Sequence, residues 1–244
     1  MNDIRQFEQE RTVYSETLHD DEVILKLARQ LLHELDRYKY SYLWKSGGLP
    51  IIQTPADIVA QQQIIWDTKP TIIIETGVAR GGSLINSAMS LELNGGRGLV
   101  LGIDIDIKKH NREEIEKHDF SHRIILFEGS STNTEIYNEV KSYINPDDRV
   151  MLVLDSSHTY EHVLKELNLW ANLVTKNCYL IVADTMLHFA TRQVSGSQTW
   201  VSGDDPLSAL NEFIKHNDKF EADKEINGKL IFSSSYQGYM RALK

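Results

Sequence analysis

Ile72-Ile73-Ile74-Glu75-Thr76-Gly77-Val78-Ala79-Arg80-Gly81-Gly82-Ser83 carries an unbroken apolar run into a glycine-rich bend and then into a segment of helical character. Three isoleucines in a row, without polar alternation, suit a strand covered by helices on both faces. Glycine permits the sharp turn, and the helix that follows opens with unpaired N–H groups. Strand, bend and helix in this order begin a βαβ unit.

Reading outward, the same rhythm repeats. Apolar runs at 71–75, 99–104, 123–127, 150–155 and 179–184 read as strands, and 83–93, 112–117, 134–143 and 160–173 read as the helices between them. This pattern predicts an α/β fold, a Rossmann-like, doubly wound, mostly parallel sheet. Near the C-terminus, 206–217 reads as a helix, and 229–233 with 238–243 as the arms of an antiparallel hairpin. Ahead of the sheet, 57–66 reads as a helix running up to Lys69-Pro70. Residues 3–45 are charged and helical. Ile24, Leu27, Leu31, Leu32 and Leu35 recur at helical spacing, which predicts one buried face. Tyr38, Tyr40, Tyr42 and Trp44 follow, then Gly47-Gly48-Leu49-Pro50 breaks the chain. The expected organisation is a helical extension over 1–50 and a catalytic domain over 51–244.

Composition narrows the function classes. The 244 residues are 41% hydrophobic and 25% charged, an ordinary globular profile. Thirty-five acidic against 26 basic residues leave a net charge of −9, which argues against a phosphate-tracking nucleic-acid surface and against docking on anionic lipid. No apolar stretch reaches the length of a membrane span, and the N-terminal residues lack the apolar core of a signal peptide. The single cysteine, Cys178, lies in an apolar run and reads as an inert core residue. A cytoplasmic chain is expected.

The bend spells Glu-x-Gly-x-x-x-Gly through Glu75, Gly77 and Gly81, not the Gly-x-Gly-x-x-Gly of pyrophosphate binding. An acid ahead of the turn would repel a phosphate but suits an ammonium. S-adenosylmethionine offers an ammonium, a carboxylate and a sulfonium, and no phosphate. The competing reading is a plain strand-to-helix turn that needs glycines. Asp104, at the end of the second strand, is placed to accept ribose hydroxyls, with Asp106 as a nearby substitute. Gly129 and Ser131, after the third strand, stand where an adenine would lie.

A second group of polar residues ends the next two strands. Asp155 closes the fourth strand and Asp184 the fifth, so two carboxylates converge on one sheet edge. Such a pair repels unless a cation or proton separates the charges, and a hard divalent ion such as Mg²⁺ suits oxygen ligands. His158, three residues past Asp155, is placed to take a proton from a bound hydroxyl. The competing reading makes the acids helix caps and His158 a surface residue.

These residues together resemble the cephalosporin hydroxylase/rhamnosyl O-methyltransferase family and, more distantly, the catechol O-methyltransferase-like enzymes. The resemblance runs from about Tyr42 to the C-terminus. Its motifs are Leu49-Pro50-Ile51-Ile52-Gln53-Thr54-Pro55-Ala56-Asp57, the turn from Glu75 to Ser83, Gly102-Ile103-Asp104-Ile105-Asp106, Leu154-Asp155-Ser156-Ser157-His158, Val182-Ala183-Asp184-Thr185 and Gly203-Asp204-Asp205-Pro206. It implies methyl transfer from S-adenosylmethionine to a hydroxyl of a sugar or natural product, usually with Mg²⁺. It further implies that Glu75, Gly77, Gly81 and Ser83 hold the methionine end, Asp104 the ribose, and Gly129 and Ser131 the adenine. Asp155, Asp184 and Thr185 would hold the metal, Asp155 also bordering the cofactor, with Asp155 and His158 as catalytic residues. One departure stands out: sugar-modifying relatives often carry an acid where this chain has Ala183.

Two rivals follow from the same residues. A nicotinamide-dependent oxidoreductase would use Tyr137 and Lys141, a pair that otherwise reads as a helix face. A catalytically silent, cofactor-binding scaffold would follow if Ala183 abolished metal binding. A facial iron site from Asp155, His158 and His162 is disfavoured, because one helix start is badly shaped to present three ligands. The segment 187–205, with His188, Arg192 and Trp200, is expected to form a loop over the acceptor. The Tyr-rich stretch is expected to cover the cofactor, to join copies of the chain in a homo-oligomer, or simply to pack on its own domain.

Overall fold

The computed structural model describes residues 3–189 and 203–244. Two helices, α1 (Asp3–His19) and α2 (Glu22–Asp36), lead into a small antiparallel pair, β1 (Trp44–Ser46) and β2 (Leu49–Ile51), turned at Gly47 and Gly48. Both glycines have positive φ, which the turn requires. Asp21 caps α2 by accepting from the N–H groups of Val23 and Ile24. Thr54 caps α3 (Pro55–Thr68), with Pro55 in the first turn where no N–H is needed.

The alternation then runs β3 (Ile72–Thr76), α4 (Gly82–Asn94), β4 (Leu99–Asp104), α5 (Lys109–Lys117), β5 (Ile124–Glu128), α6 (Thr134–Lys141), β6 (Val150–Leu154), α7 (Tyr160–Trp170) and β7 (Tyr179–Val182). The chain closes with α8 (Pro206–Lys215), β8 (Phe220–Ala222), α9 (Lys224–Lys229) and β9 (Tyr239–Ala242). The seven-stranded sheet has the order β5-β4-β3-β6-β7-β9-β8, with the first five strands parallel and β9 antiparallel to both of its neighbours, β7 and β8. The order reverses between β3 and β6, which opens a crevice at their carboxyl ends.

Non-alternating strands are explained by two cores. Ile72, Ile74 and Leu152 face Trp170, Leu210 and Phe213 on one side, while Ile73, Met151 and Val153 face Ile64, Leu84 and Ala88 on the other. Every residue of β3 and β6 is buried. Cys178 lies in the first of these cores, in keeping with a packing role. Among the described residues, no helix is long and apolar enough to cross a membrane.

Two expectations are corrected. Residues 229–233 are not a strand: the antiparallel partner of β9 is β8, and α9 lies in the connection. Asp223 caps α9, and the serines after it are drawn to the buried carboxylate of Asp57, so 229–233 has no sheet to join. The predicted stripe of α2 is split, with Leu27 57% and Leu31 52% exposed and Ile24, Leu32 and Leu35 half-buried, whereas Leu25 and Ala28 are buried. That packing turns Arg29, Leu32, His33 and Asp36 toward the mouth of the sheet.

Both ends of the chain meet on one flank. α1 lies against α9, where Ser15 donates a hydrogen bond to the carbonyl of Glu225 at 2.5 Å. Gly228 permits the approach, since a Cβ there would sit 2.2 Å from the carbonyl oxygen of Ser15.

Candidate functional site

The glycine bend after β3 owes its residues first to packing. Gly77 has φ +93°, and a Cβ there would lie 2.0 Å from the backbone oxygen of Asp155. Only glycine lets the tips of β3 and β6 come this close. At Gly82 a Cβ would meet the backbone oxygen of Pro50 at 2.3 Å, and at Gly81 the side chain of Ile115 at 2.4 Å. Asp104 reaches across from β4, and its Oδ2 accepts from the N–H groups of Val78 (2.9 Å) and Ala79 (3.2 Å). Its Oδ1 accepts from Asp106 N–H at 3.1 Å. Asp104 thus fastens the turn, whatever else it binds.

Glu75 is 1% exposed, and neither of its carboxylate oxygens has a hydrogen-bond partner. Burial pushes its pKa up to about 8, the nearby Ser83 hydroxyl pulling it down and Asp155 adding to the rise. A lone carboxylate so enclosed is costly as an anion, and a cationic ligand group beside it would remove the penalty. The ammonium of S-adenosylmethionine fits this requirement, and a phosphate does not.

One strand over, Asp155 and Asp184 project from adjacent tips of β6 and β7, as Leu154 pairs with Val182. Asp184 adopts φ +53°, a left-handed conformation unusual outside glycine. His158 bridges the acids, with Nε2 3.1 Å from Asp184 Oδ2 and 3.7 Å from Asp155 Oδ1. One ligand atom from each of the three lies within 4.8 Å of the others, which suits a metal ion. Burial raises the pKa of Asp155, His158 opposes the rise, and the Asp184 charge adds to it, giving about 6. Burial alone would lower His158, but Asp184 and Asp155 outweigh it and push His158 up to about 9. Two carboxylates and an imidazole match a divalent cation in chemical type. Thr185 is turned elsewhere: it is buried, and its hydroxyl donates to the carbonyl of Tyr236 at 2.5 Å.

A polar network beneath this site escaped the sequence reading. Glu166 is wholly buried, accepts from the Ser156 hydroxyl at 2.7 Å and lies 3.6 Å from His162 Nε2. His162 Nε2 is 3.1 Å from the hydroxyls of both Ser131 and Ser156. The available signal was positional, since Glu166 shares the apolar face of α7 with Val163, Leu167 and Trp170. Ser131 and His162 are thereby joined to each other rather than to the acid pair. Gly129 lies against Ile136, whose side chain a Cβ there would meet at 2.6 Å.

A cavity of about 360 Å³ joins the glycine turn to Asp155, His158 and Asp184. Its outer wall comes from the N-terminal extension, through Arg29, His33 and Tyr40 among others. Tyr40 packs edge-on against Trp44 and Phe232, so this part of the Tyr-rich stretch packs on its own domain, and Tyr40 and Tyr42 line the cavity. Asp104, Gly129 and Ser131 stand on neighbouring strand tips outside this lining. Asp106 is exposed and paired with Lys108. Tyr137 packs edge-on against Trp170 with the Lys141 ammonium above its ring, which is a helix face and not a catalytic pair. His188 lies 3.1 Å from Asp205, the cap of α8, while Arg192 and Trp200 lie outside the described residues.

Comparison with known proteins identifies a family and a shared fold. Residues 36–243 match the model of a family described as Rhamnosyl O-methyltransferase/CmcI. A rhamnosyl O-methyltransferase of Mycobacterium leprae is 25% identical over 171 residues, covering 68% of this chain and 72% of that protein. Its counterpart in Mycobacterium tuberculosis H37Rv is 27% identical over 142 residues, and the chain spans 56% of that relative's length. A solved CmcI structure with Mg and SAM shares the fold at a TM-score of 0.57 and 18% identity, covering 83% of this chain and 78% of that one. An O-methyltransferase from Bacillus cereus in complex with SAH does so at 0.55 and 13% identity, covering 97% and 99%.

Proposed function

The chain belongs to the Rhamnosyl O-methyltransferase/CmcI family, and from that premise we propose that it transfers a methyl group from S-adenosylmethionine to a hydroxyl of a sugar or other natural-product acceptor. One observation carries the reading: a single cavity unites the glycine turn that follows the buried Glu75 with the Asp155–His158–Asp184 cluster. The first suits the charged amino-acid end of a cofactor, the second a hydroxyl that must lose a proton.

When bound, S-adenosylmethionine would supply an electrophilic methyl group, and a divalent cation would supply positive charge that acidifies the acceptor hydroxyl. The rest falls to the protein. Glu75, with Gly77, Gly81 and Ser83 shaping the turn, balances the ammonium and fixes which end of the cofactor enters the crevice. Asp155 and Asp184 hold the cation, and Thr185 keeps the strand end in place through its bond to Tyr236. His158 keeps its own proton while both carboxylates face it uncompensated. Once their charge is balanced, its pKa falls back toward the ordinary range and Nε2 becomes the base that accepts the hydroxyl proton. Rate enhancement then comes chiefly from positioning, with the base contributing about 10²–10⁴-fold. Ala183 is buried beside this cluster, so the two carboxylates hold the cation without a third acid, and His158 Nε2 is kept for the proton.

The test is calorimetry with S-adenosylhomocysteine and with NAD⁺, followed by Mg²⁺ titration against an EDTA control and transfer of labelled methyl to a panel of glycosides. Binding of the sulfur nucleoside alone, with metal-dependent transfer lost in His158→Ala, is expected. Preference for NAD⁺ ends the methyltransferase reading. Cofactor binding without any metal response or product favours a silent scaffold.

A further inference from the structure

We propose that Arg29 selects the acceptor, by binding an anionic oxygen of a carboxylate or phosphate carried on the molecule to be methylated. The role as acceptor rests on the methyltransferase reading, but the cation site itself is an independent observation.

Arg29 lies on the face of α2 that borders the cavity, one turn before His33. Its guanidinium carbon sits 4.0 Å from the Phe189 ring centroid and 4.9 Å from that of Tyr236, and Nη2 donates to the Tyr236 hydroxyl at 3.0 Å. Two rings and one hydrogen bond hold the group in a fixed plane, yet none of them neutralises it. No carboxylate of the described residues comes within ion-pairing distance of Arg29. Residues 1–2 and 190–202 contain no aspartate or glutamate either. Its Nε is enclosed without an acceptor.

A sequence with 35 acidic residues and a net charge of −9 thus sets no carboxylate of the described residues against this cation at the wall of the cavity that holds Asp155 and His158. Packing on aromatic rings does not require a charge, and partial burial of one without a counterion is unfavourable. Neutral hydroxyls would satisfy the donors but not the charge. A carboxylate or phosphate does both, since its oxygens match the edge of a guanidinium already stacked on its faces. His33 adds a further donor on the same wall.

The experiment measures binding of three probes: nitrophenyl glucuronide, glucose phosphate and the neutral nitrophenyl glucoside. Saturation-transfer NMR and calorimetry are run on the full chain and on Arg29→Lys and Arg29→Gln, with melting curves confirming that each variant folds. Wild-type protein should bind at least one charged probe about 10- to 100-fold more tightly than the neutral one, the range expected for charge-assisted hydrogen bonds. The tighter of the two charged probes identifies the anionic group. Arg29→Gln should abolish the preference and Arg29→Lys retain part of it. Equal affinity for charged and neutral probes, no binding of any charged probe at millimolar concentration, or a preference that survives in Arg29→Gln overturns the proposal. S-adenosylhomocysteine is titrated in parallel. Its failure to bind, with the charge preference intact, removes the methyltransferase reading and leaves the anion site standing.

Discussion

Replacing Gly77 with alanine would set a methyl group 2.0 Å from the backbone oxygen of Asp155 and 2.6 Å from its carbonyl carbon. Carbon atoms are comfortable at about 3.5–4.0 Å, so the tips of β3 and β6 would have to part by more than about 1 Å. Overpacking of this kind costs about 1–3 kcal/mol. The φ of +93° adds about 1–2 kcal/mol for a residue with a side chain. Together these give a loss of about 2–5 kcal/mol, or a fall in Tm of about 4–20 °C for a chain of this size. Gly48 separates the two contributions. It has φ +90°, and a Cβ there meets nothing within 4 Å, so Gly48→Ala should carry the backbone part alone. Urea unfolding followed by tryptophan fluorescence measures both. If the two variants lose equal stability, the crossing of β3 and β6 is not what demands glycine at position 77.

Other perturbations test the site and its supports. Burial keeps Glu75 protonated up to about 8, above its unfolded value of 4.5. The ligand-free fold therefore binds more protons than the unfolded chain in that window, and its stability falls as pH rises through it. Glu75→Gln should flatten urea midpoints between about pH 5 and about pH 8 and leave the slopes from Asp155, whose window runs from 3.8 to about 6, and from His158, whose window runs from 6.5 to about 9, both with the same sign; an unchanged slope means that Glu75 is already balanced. Trp170→Phe deletes the indole N–H that donates to the Ser131 carbonyl at 2.7 Å and should cost about 1–3 kcal/mol in urea unfolding. Asp57→Ala strands the hydroxyls of Ser233 and Tyr239, which donate to it at 2.5 and 2.9 Å. A loss of about 3 kcal/mol is expected from the abandoned donors, and a neutral result would mean that the C-terminal segment is held by other contacts.

The parallel strands could be read from the chain because unbroken apolar runs such as 72–74 have few other uses, and because Glu75, Asp104, Asp155 and Asp184 end them. The apolar run Leu230-Ile231-Phe232 looked equally strand-like, but its fate was decided by partners far away. Asp57 captures the serines that follow, and Phe232 packs on Tyr40. Periodicity in α2 marks one buried face, but Ile24, Leu32 and Leu35 are half-buried and Leu27 and Leu31 exposed, since what turns inward depends on what the sheet mouth offers. The acid–histidine cluster was foreseeable from residues at fixed offsets from strand ends. Glu166 and Arg29 were not, because their meaning lies in missing or distant partners, which spacing along the chain does not encode.

The docking of α1 on α9 has a consequence for how the molecule is made. Ser15 leaves the ribosome 210 residues before the Glu225 carbonyl that it binds, a delay of roughly 10–40 s at ordinary rates of synthesis. The parallel strands can assemble during that interval, while the first helix waits without its partner. The wall that carries Arg29 follows directly in sequence and packs on Phe189 and Tyr236, so the candidate cavity gains its outer side only once Tyr236 has been made. A nascent chain stalled before α9 should therefore display the chemistry-bearing rim fully open to solvent.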